Sequence, residues 1–139
     1  MALMPKRVKY RKSQRGKNRG IATRGSTLNY GEFGLKVIEN GFIKSNHIEA
    51  ARVAVARKSR GAGRLWINIF PSKPVTRKPA ETRQGKGKGD LAFWGSNVKR
   101  GKVIFELAGV PENFAKQIFR LVAFKLPVKT RFISRDMEL

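Results

Sequence analysis

Apolar and polar positions change rhythm several times along the chain, and each change marks an element. From Glu32 to Glu39, Phe33, Leu35 and Val37 alternate with Gly34, Lys36 and Ile38, a strand pattern closed by an Asn40-Gly41 turn. Helical spacing takes over at once. Ile48, Ala51 and Val55 share one face, Ser45 or Asn46 stands at the cap, and Glu49 follows Asn46 at capping-box distance. Arg57, Lys58 and Arg60 fill the last turn before Gly61, where cations complement the helix dipole. Arg64 to Phe70 is a short apolar run ending at Pro71 and reads as a buried strand. Leu91 to Val98 and Lys102 to Ala108 read as a hairpin around Lys99-Arg100-Gly101. Gly109-Val110-Pro111 opens a second helix, with Phe114, Ile118, Leu121, Val122 and Lys125 at helical spacing and Phe119 and Leu126 widening the face, until Pro127 ends it. Val128, Thr130 and Phe132 then alternate with Lys129, Arg131 and Ile133 in a last strand. The expected fold is α+β: a mixed or antiparallel sheet of about five strands covered by two helices.

Two segments follow no period. Residues 1–31 contain Lys6, Arg7, Lys9, Arg11, Lys12, Arg15, Lys17, Arg19 and Arg24 before the first acid, Glu32, with Gly16, Gly20 and Gly25 between them. With no face to bury, this stretch is expected to be an extended basic N-terminal arm on a single domain spanning 32–139. Residues 71–90 combine Pro71, Pro74 and Pro79 with Gly85, Gly87 and Gly89. Lys73, Arg77, Lys78, Arg83, Lys86 and Lys88 face only Glu81 and Asp90 there. This reads as a long basic loop of the kind that carries function.

Charge sharpens the reading. Lysine and arginine number 31 against 9 acids, a net charge of +22. No cysteine is present, so disulfides, thiolate metal sites and a cysteine nucleophile are excluded. The one histidine, His47, falls in the first turn of the first helix and is expected to face solvent. The acids are scattered singly, so no catalytic set, metal site or cofactor is expected. The apolar runs are too short for a membrane helix, and the basic start lacks the apolar stretch of a secretory signal. Gly85-Lys86-Gly87-Lys88-Gly89 fails the phosphate-loop pattern, because Gly-Lys is not followed by Ser or Thr. It nevertheless alternates bare backbone with ammonium groups, which suits close approach to phosphates. Gly31-Glu32-Phe33-Gly34 has the spacing of a KH loop, but its acid would repel a nucleic-acid backbone.

These features describe a polyanion binder with three basic surfaces. One is the arm, from Lys6 through Arg19. Another is the first helix with its basic end, Arg52, Arg57, Lys58 and Arg60. The last is the loop, with Lys73, Arg77 and Lys78 leading to Arg83, Gln84, Gly85, Lys86, Gly87, Lys88 and Gly89. Trp66, Phe70, Phe105, Phe114, Phe119 and Phe132 read as core, whereas Tyr10, Tyr30, Phe93 and Trp94 remain as candidate base stackers. The usual DNA-reading modules are not visible, which favours RNA. Charge alone does not separate a structural RNA binder from a free RNA chaperone or a DNA-compacting protein. An RNA-modifying enzyme would need a polar residue that the sequence does not nominate.

A series of short motifs runs along nearly the whole chain. Pro5-Lys6-Arg7-Val8-Lys9-Tyr10-Arg11-Lys12 opens it. Phe33-Gly34-Leu35, Ile48-Glu49-Ala50-Ala51-Arg52, Trp66-Ile67, Phe70-Pro71, Lys73-Pro74, Lys78-Pro79 and the Gly85–Gly89 run follow, and Gly109-Val110-Pro111 and Lys125-Leu126-Pro127-Val128-Lys129-Thr130 complete it. In content and order these motifs resemble the bacterial and organellar family of large-subunit ribosomal protein sixteen. The resemblance implies an α/β-hammerhead fold and a ribosome-bound protein of the cytoplasm, or of an organelle's matrix or stroma. It further implies 23S rRNA binding late in subunit assembly, with the arm and the loop near A-site tRNA and the peptidyl-transferase region. The 5S rRNA region and other large-subunit proteins would be neighbours, with no membrane contact and no homo-oligomer. Two departures stand out. Arg83-Gln84-Gly85 replaces the family's common Arg-Met-Gly, and Trp66-Ile67-Asn68 replaces a frequent Trp-Ile-Arg, which reads as the loss of a phosphate contact.

Overall fold

The computed structural model describes residues 4–6, 18–77 and 90–135. Its elements are β1 (Phe33–Val37), β2 (Gly41–Lys44), α1 (Ser45–Ser59), β3 (Arg64–Ile67), β4 (Lys73–Arg77), β5 (Asp90–Val98), β6 (Val103–Ala108), α2 (Glu112–Ala123) and β7 (Thr130–Ser134). They form two antiparallel sheets, one of four strands in the order β3-β6-β1-β7 and one of three in the order β2-β5-β4. The α+β expectation holds, with seven described strands instead of about five.

The four-stranded sheet sorts its side chains by the period of two. Phe33, Leu35 and Val37 of β1 and Phe105 and Leu107 of β6 point toward α1 and α2. They meet Ile48, Ala51 and Val55 from α1 and Ala115, Ile118, Phe119 and Val122 from α2 in one buried cluster. Phe33 stacks on Phe132 of β7 at 5.8 Å. The opposite face is covered by chain from the N-terminal segment. Leu28 is buried there with Val103 and Ile133, and a Cβ on Gly34 would lie 2.4 Å from the Leu28 Cδ2, so only glycine lets this strap lie flat.

That strap corrects the picture of residues 1–31 as a stretch with nothing to bury. Its described part, 18–31, lies along the body. The Asn18 amide donates to the carbonyls of Gly41 and Val98 at 2.9 and 3.0 Å, and Ala22 N–H donates to Arg100 O. Arg7, Lys9, Arg11, Lys12, Arg15 and Lys17 lie outside the described residues.

Three other expectations change. β5 and β6 are not a hairpin: β5 pairs with β2 and β4, while β6 pairs with β1 and β3. The turn between them is held by the β1 end, with Gly101 N–H donating to Val37 O and Arg100 N–H to the Asn40 side chain. The loop expected over 71–90 is strand at both ends, since β4 occupies Lys73–Arg77 and β5 begins at Asp90. Pro74 is tolerated because β4 is an edge strand. β3 is likewise an edge strand and only half-buried; Trp66 is partly exposed and Phe70 is 50% exposed. No helix among the described residues is long and apolar enough to cross a membrane.

Candidate nucleic-acid interface

The basic groups are held outward by ordinary local chemistry. α1 buries Ile48, Ala51 and Val55, which leaves Arg52, Arg57 and Lys58 exposed on the other sides. The helix start differs from expectation. Lys44 is the cap residue, and its N–H donates to His47 Nδ1 at 3.2 Å. His47 is therefore a half-buried capping acceptor; burial first, then the Lys44 charge, lower its pKa and keep it neutral. Glu49 does not close a capping box but accepts from the Arg52 guanidinium through both carboxylate oxygens, which lowers the Glu49 pKa and raises that of Arg52. At the other end Arg60 adopts a left-handed φ of 52°, a conformation that glycine tolerates best.

α1 and α2 pack side by side, and a groove of about 590 Å³ runs between their outer faces. Its apolar wall is Ala50, Val53, Ala54 and Leu121, its cations are Arg57, Lys58 and Lys125, and its one acid is Glu49. A smaller cleft of about 240 Å³ lies between Arg52 of α1 and the Gly61–Leu65 stretch that leads into β3. On the strap side, a cleft of about 360 Å³ collects Arg24, Lys99 and Lys102.

Few acidic groups interrupt these surfaces: Glu49 lines the groove between the helices, and Glu106 is buried. Among the described residues there are two ion pairs, Arg52–Glu49 and Lys116–Glu112, both solvent-exposed and so weak restraints on their cations. Glu106 is fully buried, and its Oε1 accepts the backbone N–H groups of Asn29, Tyr30 and Gly31 at 2.8–3.1 Å while Oε2 accepts Asn68 Nδ2 at 2.6 Å. Burial pushes its pKa up, but the bonds from Asn68, Tyr30, Gly31 and Asn29 together outweigh it and hold the carboxyl below its usual range. Asn68 is thus a partner of this carboxylate, and its amide also reaches Val103 O. In this chain the position serves the root of the strap.

The sequence-predicted basic residues are only partly brought together. Arg57, Lys58 and the newly found Lys125 share one groove, Arg52 sits in another cleft, and Arg60 caps α1. Arg19 is exposed at the start of the strap, and Lys6 is exposed in a short isolated stretch. Lys73 and Arg77 open and close β4. Lys78 and the run Arg83, Gln84, Gly85, Lys86, Gly87, Lys88 and Gly89 lie outside the described residues, as does Tyr10. Arg64, Lys99 and Lys102 were missed as site residues because single cations at strand ends and turns carry no periodic signal, whereas Lys125 reads as part of the second helix and Arg24 as one more charge of the arm. Of the candidate stackers, Trp94 is buried and Phe93 packs edge-on against Phe42 beneath the Lys44 ammonium, whereas Tyr30 is exposed.

The sequence profile of the family described as ribosomal protein L16p/L10e matches residues 5–133. The large ribosomal subunit protein uL16 of Methylacidiphilum infernorum (isolate V4) is 57% identical over 136 residues, covering 98% of this chain and 95% of that protein. Both the basic strap and the helix-backed sheet lie inside the matched span. The chain is a member of the ribosomal protein L16p/L10e family.

Proposed function

We propose that this protein is a structural constituent of the large ribosomal subunit that binds 23S rRNA by neutralising backbone phosphates. The observation that carries the reading is the excess of positive charge. The chain carries a net +22, and among the described residues Arg19, Arg24, Arg52, Arg57, Lys58, Arg60 and Arg64 are exposed at the surface. Counterion release from RNA then supplies a large, salt-sensitive share of the affinity. Like the rest of its family, the chain is structural and not an enzyme.

The family likeness supports a finer placement. The N-terminal segment and the Arg83–Gly89 run would reach toward A-site tRNA and the peptidyl-transferase region, and the protein would join late in assembly. It would sit as a single copy near the 5S rRNA region and neighbouring large-subunit proteins. Both segments are rich in cations and poor in apolar side chains, so they are suited to ordering against RNA.

The test is binding of the full chain to transcribed large-subunit rRNA across a salt series. The expected result is a steep linear fall of log affinity with log salt. Replacing Lys86 and Lys88 with alanine should reduce the slope by about one to two units. A flat salt response would refute phosphate neutralisation, and an unchanged slope in the double variant would remove the glycine-lysine run from the interface.

A further inference from the structure

Two of the exposed aromatic rings among the described residues, Tyr30 and Phe70, lie together where the strap meets the end of β3. Tyr30 stacks on Trp66 with ring centroids 6.0 Å apart and planes 19° from parallel, and the Arg64 guanidinium lies 5.1 Å from the Trp66 centroid. Leu65 and Ile67 pack against the helix-side core, so the alternation of the strand puts Arg64 and Trp66 on the strap side of the sheet. Tyr30 itself remains 61% exposed. Its backbone N–H is anchored on the Glu106 carboxylate, and one face of its ring rests on Trp66.

Next to this stack is a cleft of about 430 Å³ lined by Tyr30, Phe70, Asn29, Asn68 and Lys102, among others. It shares Asn68, Phe70 and Lys102 with the neighbouring cleft that holds Arg24 and Lys99. Two half-exposed aromatic rings at the mouth, side-chain amides in the wall and three cations alongside form a consistent set. Aromatic faces stack on bases of any identity, amides meet base edges, and ammonium and guanidinium groups meet the flanking phosphates. No acidic side chain among the described residues lines either cleft.

We propose that the Tyr30–Phe70 cleft binds an unpaired nucleobase of RNA, stacked on the outer face of Tyr30, with the adjoining phosphates on Lys102, Arg24 and Lys99. The proposal rests on the rRNA-binding reading and adds to it a base-stacking site distinct from phosphate neutralisation. It also gives Trp66 a role: as the ring under Tyr30, it stiffens the platform from below.

The experiment titrates the full chain with a short single-stranded RNA and with an abasic ribose-phosphate strand of the same length. Tryptophan emission is the readout, because Trp94 is buried and Trp66 lies directly beneath Tyr30. The base-bearing strand is expected to quench the emission and to bind about tenfold more tightly than the abasic one. Y30L should abolish most of that preference without altering the salt slope, Y30F should retain it, and K102A should weaken both strands and reduce the slope by about one. F70L serves as a second test that leaves the Tyr30–Trp66 stack intact, with circular dichroism confirming the fold of each variant. Equal binding of the two strands with a normal salt slope would overturn the stacking site and leave the rRNA reading standing. Absence of any salt-dependent binding would overturn both. A base preference unaffected by both Y30L and F70L would place stacking elsewhere, and an ultraviolet cross-link from Tyr30 to a neighbouring protein in assembled subunits would assign the cleft to a polypeptide instead.

Discussion

Glu106 shows how much one residue can organise. A carboxylate on a central strand is costly to bury unless its lone pairs are filled, and here three backbone N–H groups and an amide fill them. The bonds join residues about 75 positions apart, tying the root of the N-terminal segment to β6. Replacing Glu106 with glutamine keeps the shape but removes the charge, and should destabilise the fold by about 2 kcal/mol, read from urea midpoints. The pH dependence has a defined sign. A carboxyl held below its unfolded value stabilises the native state above that value, about pH 4.3, and loses this contribution as pH falls through the lowered folded value. The difference between wild type and the glutamine variant should therefore shrink as unfolding is repeated at progressively more acid pH. A constant difference would contradict an ionised Glu106. Nothing in the sequence distinguishes this glutamate from a solvent-facing one, because its donors come from backbone far away in the chain.

At the scale of elements, local periodicity was a good guide where an element has one apolar stripe. α1, β1, β6, α2 and β7 follow their patterns, and the Pro111 and Gly61 punctuation falls at the helix ends, although α2 stops at Ala123, short of the expected end at Pro127, with Lys125 and Leu126 in the turn that follows. What periodicity could not convey is partnership. The short Lys99–Gly101 turn has hairpin chemistry, yet its strands belong to different sheets because the β1 end takes the hydrogen bonds of the turn. β2 escaped notice because four residues, Gly41–Lys44, run straight into a helix, and β4 because Pro74 and its cations resemble loop. The α1 terminus offers a test at this scale. Arg60 occupies a left-handed conformation, so Arg60→Gly should raise stability by about 0.5–1 kcal/mol while removing one cation from the surface. A rise in thermal midpoint with weaker RNA binding would show that the charge is retained against the preference of the backbone; a fall in midpoint would contradict the strain argument.

For the whole molecule, the structure divides the N-terminal segment by role. Residues 18–31 bury Leu28 and supply three backbone donors to Glu106. A chain lacking residues 1–17 should keep its circular dichroism and unfolding midpoint but lose RNA affinity and salt slope. A chain lacking 1–31 should unfold more easily by several kcal/mol, as expected when a buried side chain and a carboxylate's partners are lost together. Equal stability of the two truncations would refute the strap. Composition alone made the polyanion partner legible, and a run of family motifs made the ribosome legible. The Tyr30–Phe70 cleft was hidden because its walls come from the strap, the end of β3 and the turn before β6.

The central claim is that this chain is an integral part of the large subunit. Its most direct test is to separate a native lysate on a sucrose gradient, wash the large-subunit peak in high salt, and quantify the chain per particle. Near one copy per washed particle is the predicted result. A chain that stays at the top of the gradient, or leaves the particle completely in the wash, would contradict the account and make it a free nucleic-acid binder.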